Sequence, residues 1–139
     1  MIKVENIFKS FGNLKVLNDV SLNIARSEVV SIVGPSGAGK TTLLQIMGTL
    51  SRQDSGRVLI NGIDVSSIGD KKLSKFRNLN IGFVFQFHNL LGEFTAFENV
   101  CIPAFIAGSD RRQTEAKATE LLKMLGMQHR MNHKPSEMS

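Results

Sequence analysis

The sequence predicts an α/β fold, and three features of the chain support this prediction. Residues 29–33 form a short apolar run rich in β-branched side chains, which is typical of a buried strand. A glycine-rich turn follows over residues 34–39, and a helix with apolar positions is expected to begin at Lys40. Apolar alternation in residues 2–8 and 20–25 predicts antiparallel strands around a turn.

The turn and the helix start match the phosphate-binding pattern G-x-x-x-x-G-K-[ST]. Glycine permits backbone angles that turn successive N–H groups towards phosphate oxygens, and the helix adds its unpaired N–H groups. A lysine at this position supplies charge near the β- and γ-phosphates, and the hydroxyl after it is placed to bind Mg²⁺. The predicted phosphate-binding residues are Gly34, Pro35, Ser36, Gly37, Ala38, Gly39, Lys40, Thr41 and Thr42, with Thr41 as the metal ligand. The alternative interpretation is a plain turn before a helix. The phosphate-binding interpretation requires a strand before the turn and a helix after it.

Five further segments have the periodicity of regular structure. They are a strand at 57–60 with a tight turn at 61–62, a helix at 70–77, a buried strand at 81–85, a helix from Thr95 to about Gly108 that begins with a capping box, and a helix at 111–125.

Two residues outside the loop are candidates for the nucleotide site. Phe11 follows the first predicted strand and could stack on an adenine ring or, alternatively, fill a small β-core, and Phe8 competes for either role. Gln86 ends the predicted strand 81–85, at the edge where open α/β sheets bind ligands. Its amide oxygen could reach Mg²⁺ or the attacking water, and the alternative is an ordinary strand-end glutamine.

Composition excludes several other classes of protein. The 139 residues carry a net charge of +5, but the densest basic group, residues 71–77, is typical of the solvated face of a helix, so we expect no nucleic-acid partner. No apolar run is long enough to cross a membrane, and residues 1–5 lack the layout of a signal peptide. The single cysteine, Cys101, agrees with a reducing compartment. A cytoplasmic location is therefore expected.

Taken together, Phe11, residues 34–42, Gln86 and the helical stretch after it resemble the nucleotide-binding domain of an ABC transporter. The run 82–100, which includes Phe87-His88-Asn89, is most similar to the lipoprotein-releasing (LolD-type) branch. The resemblance implies a P-loop ATPase fold that binds ATP and Mg²⁺. It also implies that Phe11 is the base-stacking aromatic and that Gln86 senses the γ-phosphate and couples to a membrane subunit.

The resemblance further implies an organisation and a set of partners. Residues 1–86 would form an antiparallel β subdomain with a partial parallel core sheet around the phosphate loop, and residues 87–139 would form a helical subdomain. A transmembrane permease and a second nucleotide-binding domain, as a homodimer of the complete form, are the implied protein partners. Such a subunit lies peripherally on the inner face of the cell membrane.

The resemblance ends inside the family's signature motif, where Met138-Ser139 match the first two residues of L-S-G-G-Q. The family's Walker B aspartate, catalytic glutamate and switch histidine have no counterpart here, so no catalytic residue is expected within the 139 residues. We therefore expect weak Mg-ATP binding and no steady hydrolysis. We also expect the strand 29–33 to present an unpaired edge, because the resemblance places its neighbouring strands outside these 139 residues.

Two other functions fit parts of the sequence. A non-catalytic ATP-binding module could dock on a membrane partner through the region after Gln86 and regulate it. A P-loop kinase would need an arginine-rich lid, but the Arg111-Arg112 pair stands at a predicted helix start. The sequence thus favours an ATP-binding transport subunit.

Overall fold

A computed structural model describes residues 1–86 and 89–138. Phe87 and His88, which contribute to the resemblance, and Ser139 of the signature motif lie outside the described residues. The chain forms two compact units, Met1–Arg77 and Asn78–Ser139. None of the helices in the described part of the chain is both long and apolar enough to span a bilayer.

The first unit contains an antiparallel sheet of four strands. The strands are β1 (Ile2–Phe11), β2 (Leu14–Ile24), β3 (Ser55–Ile60) and β4 (Ile63–Asp64), in the spatial order β2-β1-β3-β4. The predicted antiparallel strands at 2–8 and 20–25 are confirmed, and they extend until only Gly12 and Asn13 separate them. The predicted turn at 61–62 joins β3 to β4.

The central strand β1 supplies the core of this sheet. Val4 is 1% exposed and pairs with Leu22 on one side and Val58 on the other, and Ile7 is fully buried. At Gly56 in β3 a Cβ atom would lie 2.2 Å from the Asn6 carbonyl oxygen, so this close approach of two backbones requires glycine.

Two helices accompany the sheet. Helix α1 (Lys40–Met47) buries Leu43, Ile46 and Met47, and helix α2 (Asp70–Asn80) buries Leu73. Arg52, in the connection after α1, donates to the Asp70 carboxylate at 2.7 Å and to the Ile68 carbonyl at 3.0 Å. This arginine therefore links the end of the α1 segment to the start of α2.

The second unit contains the two helices predicted at 95–108 and 111–125. Helix α3 (Ala96–Ile106) and helix α4 (Arg111–Met124) pack on each other, and Cys101, Ala118 and Leu122 are buried. The predicted capping box is present, because the Thr95 hydroxyl accepts from the Glu98 N–H and the Glu98 carboxylate accepts from the Thr95 N–H. Helix α4 has a simpler cap, in which the Asp110 carboxylate accepts from the Gln113 N–H.

The predicted parallel core sheet is wrong for the described residues. Residues 29–33 and 81–85, predicted as strands, form no hydrogen-bonded strand with any described residue. A parallel strand requires a hydrogen-bonded neighbour and cover on both faces, and the described residues provide neither for these segments. Val29 is accordingly 98% exposed and Val33 is 85% exposed.

The capping box of α3 should make stability depend on pH. Hydrogen bonds from the Thr95 N–H and hydroxyl hold the pKa of Glu98 below its ordinary value of 4.5. Protonation therefore favours the unfolded chain, and this contribution is present above pH 4.5 and lost as pH falls through the lowered pKa. We expect Glu98→Gln to show a smaller loss of stability on acidification than the parent, measured by urea unfolding monitored by circular dichroism. Glu120→Gln, on the outer side of α4, is the control, and equal acid sensitivity of parent and Glu98→Gln would contradict the prediction.

Candidate nucleotide-binding site

The loop between residue 34 and helix α1 has the conformation expected of an anion cradle. Gly37 and Gly39 have φ angles of 80° and 85°, which bend the chain sharply into the helix. Gly39 is the N-cap of α1, and no side chain caps the helix. The N–H groups of the first helical turn therefore face the loop without a side-chain acceptor, and they carry the positive end of the helix dipole.

Gly39 fixes this loop against the sheet. It is buried, and a Cβ atom on it would lie 2.9 Å from the Val16 carbonyl oxygen and 2.8 Å from the Leu17 side chain. Because the first of these atoms belongs to the backbone of β2, a Cβ atom could be accommodated only by a shift of the loop or of the strand backbone. Glycine is thus required here both for its φ angle and for its size.

Lys40 closes the loop from inside. Its ammonium donates to the Gly34 carbonyl at 2.9 Å and to the Pro35 carbonyl at 2.6 Å, and the side chain is half-buried. These two bonds join the beginning of the loop to the start of the helix. A full positive charge consequently lies within the curve of the loop, where a polyanion would meet it.

The loop and β1 enclose a cavity of about 360 Å³. Most of the predicted nucleotide-binding residues line it, and β2 adds one residue that the sequence analysis did not identify. The lining residues are Phe11, Val16, Ser36, Gly37, Ala38, Gly39, Lys40, Thr41 and Thr42. Gly34 and Pro35 do not line the cavity as the structure describes it, but their carbonyl groups accept hydrogen bonds from Lys40.

Phe11 lines this cavity, and the residue is 54% exposed. Phe8, the alternative candidate, is absent from the wall as the structure describes it. The Lys9 ammonium lies 5.4 Å from the Phe11 ring centroid and 2.8 Å from the Asp54 carboxylate. Sequence reasoning missed Lys9 and Asp54, although the spacing of Lys9 and Phe11 places them on the same face of a strand.

Thr41 and Gln86 are the two predicted metal ligands. In residues 1–86 and 89–138 no cluster of three or more His, Cys, Asp and Glu side chains could hold a metal ion. Thr41 lies in the first turn of α1 and lines the cavity, and its role as a hydroxyl ligand of Mg²⁺ stays a prediction. Gln86 is exposed within the second unit, and its metal role stays a prediction.

Comparison with known proteins identifies the family. The family model described as ABC transporter matches residues 17–139, which include the whole phosphate loop. The chain belongs to the ABC transporter family.

The predicted resemblance to the lipoprotein-releasing branch is also confirmed. The chain is 60% identical over 139 residues to the lipoprotein-releasing system ATP-binding protein LolD of Bacteroides thetaiotaomicron, and 55% identical to LolD of Porphyromonas gingivalis. Each match covers 100% of this chain and 64% of the relative. The chain therefore spans just under two thirds of the length of these ABC proteins.

Solved structures of ABC cassettes share the fold. A dimeric structure of MJ0796, described as a bacterial ABC transporter cassette, superposes with a TM-score of 0.92 at 39% identity. A second dimeric structure of MJ0796, in a post-hydrolysis state bound to ADP and Pi, gives a TM-score of 0.91. Both matches cover 100% of this chain and 63% of the cassette, so the observed antiparallel sheet and helices are those of an ABC ATPase.

Replacement of Gly39 tests how far the loop depends on its contact with β2. We expect Gly39→Ala to displace the loop from Val16 and to abolish ATP binding, because the added methyl group overlaps a backbone oxygen. Gly69→Ala, where a Cβ meets no atom within 4 Å, is the matched control and should bind ATP like the parent. Titration calorimetry measures binding, and circular dichroism checks folding. A folded Gly39→Ala protein with parental ATP affinity would refute the stated role of the contact.

Proposed function

We propose that this chain binds ATP together with Mg²⁺ in the cavity formed by its phosphate loop, as the ATP-binding part of an ABC transporter subunit. The observation that carries the proposal is the convergence of an uncapped helix start, the Lys40 ammonium and the exposed Phe11 ring on one cavity. Triphosphate, cation and base each have a matching group there. The ADP- and Pi-bound state of the MJ0796 cassette, which shares this fold, supports the same conclusion.

Each part of the nucleotide has a defined partner in the proposal. The loop N–H groups and the first turn of α1 bind phosphate oxygens, and Lys40 places its charge at the β- and γ-phosphates. Thr41 supplies a hydroxyl to Mg²⁺, which neutralises the phosphates when bound, and Thr42 adds a weaker phosphate contact. Phe11 stacks on the adenine, and Gln86 has the γ-phosphate-sensing and metal-binding role that the family resemblance implies.

We further propose that the complete protein energises the release of lipoproteins from the membrane. The support is the 60% identity to a protein named as the ATP-binding component of a lipoprotein-releasing system. Its partners would be a transmembrane permease, contacted through the region after Gln86, and a second nucleotide-binding subunit, as in the dimeric MJ0796 cassette. The protein would then lie on the inner face of the cell membrane.

Lys40→Ala tests the phosphate site. Loss of a charged hydrogen-bond donor to phosphate should weaken Mg-ATP binding about tenfold or more, as measured by titration calorimetry. Lys71→Ala, which removes an equal charge from helix α2, should bind like the parent. Equal ATP affinity of the Lys40→Ala protein and the parent would refute the proposed function.

Thr41→Ala separates metal binding from phosphate binding. We expect the variant to bind ATP more weakly than the parent when Mg²⁺ is present and equally well when the metal is removed with a chelator, because only the metal complex uses the hydroxyl. Thr41→Ser retains the hydroxyl and should behave like the parent. A Thr41→Ala protein with unchanged Mg-ATP affinity would show that Thr41 is not a metal ligand.

A further inference from the structure

The Phe11 ring has a cation beside it on the same strand. Lys9 and Phe11 are two residues apart in β1, so their side chains project from the same face of the sheet. The Lys9 ammonium lies 5.4 Å from the ring centroid, within the roughly 6 Å over which a cation attracts an aromatic face. The contact therefore restrains the Phe11 ring, which lines the cavity of the phosphate loop.

The exposure of these two side chains is the reverse of the usual pattern. The Lys9 side chain is only 16% exposed, whereas Phe11 is 54% exposed. Lysine is among the residues most rarely buried, and its burial requires a partner. The fold thus leaves the Lys9 side chain partly covered, while Phe11 lines the cavity.

Asp54 provides that partner and also fixes the backbone beside the ring. Its carboxylate accepts from Lys9 Nζ at 2.8 Å and from the Ser10 N–H at 2.7 Å, while its own N–H donates to the Phe8 carbonyl at 2.9 Å. The bonds that the carboxylate accepts from Lys9 and from the Ser10 N–H hold the pKa of Asp54 below its ordinary value of 3.8. The carboxylate consequently stays charged at neutral pH and anchors β1 just before Phe11.

We propose that Lys9 and Asp54 are positioning residues that hold the Phe11 ring for stacking on the base of the bound nucleotide. The inference rests on the proposed function, because it needs a nucleotide whose phosphates occupy the loop. Lys9 acts through the ring and Asp54 acts through Lys9 and the Ser10 backbone. Their effect should therefore appear only for ligands that possess an aromatic base.

A pair of ligands isolates the base from the phosphates. ATP and inorganic tripolyphosphate, both with Mg²⁺, share the phosphate chain, but only ATP carries a base. Lys9→Met keeps an apolar stem and removes the charge, and we expect it to weaken ATP binding about two- to fivefold while tripolyphosphate affinity is unchanged. The single substitution Lys9→Arg should leave ATP affinity close to that of the parent, because a guanidinium group also binds an aromatic face. Lys3→Met, which removes another ion-paired lysine of β1, is the matched control.

A double substitution tests whether Lys9 acts through the ring. In a Phe11→Ala background the further change Lys9→Met should leave ATP affinity unaltered, since the ring that it positions is gone. Asp54→Asn should reproduce the selective loss of ATP affinity in the otherwise unchanged protein. Unlike Lys9→Met, it leaves the charged ammonium in place, and it keeps the inference testable if Lys9→Met does not fold.

Fluorescence supplies a second, independent measurement. Because the 139 residues contain no tryptophan, Phe11→Trp places a single indole at the site. ATP should change its emission more than tripolyphosphate does, and Lys9→Met in this background should reduce the difference.

The possible failures are distinguishable. A parent protein that binds neither ligand would overturn the proposed function together with this inference. Binding of both ligands by the parent, with equal losses for both in Lys9→Met, would leave the nucleotide site intact and overturn only the positioning role. An undiminished Lys9→Met effect in the Phe11→Ala background would overturn it as well.

Discussion

The contact between Gly39 and strand β2 is the constraint on which the candidate site depends. Without a Cβ, the last residue of the phosphate loop lies directly against the Val16 carbonyl and the Leu17 side chain. Helix α1 then begins at a fixed position against the sheet. Its buried residues are Leu43, Ile46 and Met47. Because β2 pairs with β1, and β1 ends at Phe11, the same hairpin that supports the loop also presents the aromatic ring. One antiparallel pair therefore both supports the phosphate loop and carries Phe11.

Two lysines near the cavity have opposite electrostatic roles. Lys9 is paired with the Asp54 carboxylate, so the pair adds no net charge at the mouth of the cavity. Lys40 bonds to the carbonyls of Gly34 and Pro35, which are neutral, and its full charge remains available to an anion. An exchange of a carbonyl partner for a phosphate oxygen replaces a dipole with a charge, which favours the bound state. The positive charge available to an anion is thus concentrated at the loop.

Both the similarity to ABC cassettes and the missing parallel strands depend on where the hydrogen-bond partners of each element lie. The chain superposes over its whole length on a cassette of which it covers 63%. Elements whose hydrogen bonds and buried faces are provided within the described residues, such as β1, β2 and α3, have their regular form. Residues 29–33 and 81–85 have the composition of buried strands, but no strand of the described residues pairs with them. A helix satisfies its own backbone, whereas a strand depends on a neighbour.

The sequence by itself determined those features whose cause is local. The phosphate-loop pattern at residues 34–41, the hairpin around Gly12, the capping box at Thr95 and the amphipathic helix at 111–124 each follow from a few adjacent residues, and all are present in the structure. Tertiary structure alone decided which distant residues meet. It placed Asp54 beside Lys9 and Ser10, seated Gly39 on Val16, and left Val29 exposed. These outcomes depend on the approach of segments far apart in the chain, and no local pattern of propensity or periodicity encodes such an approach.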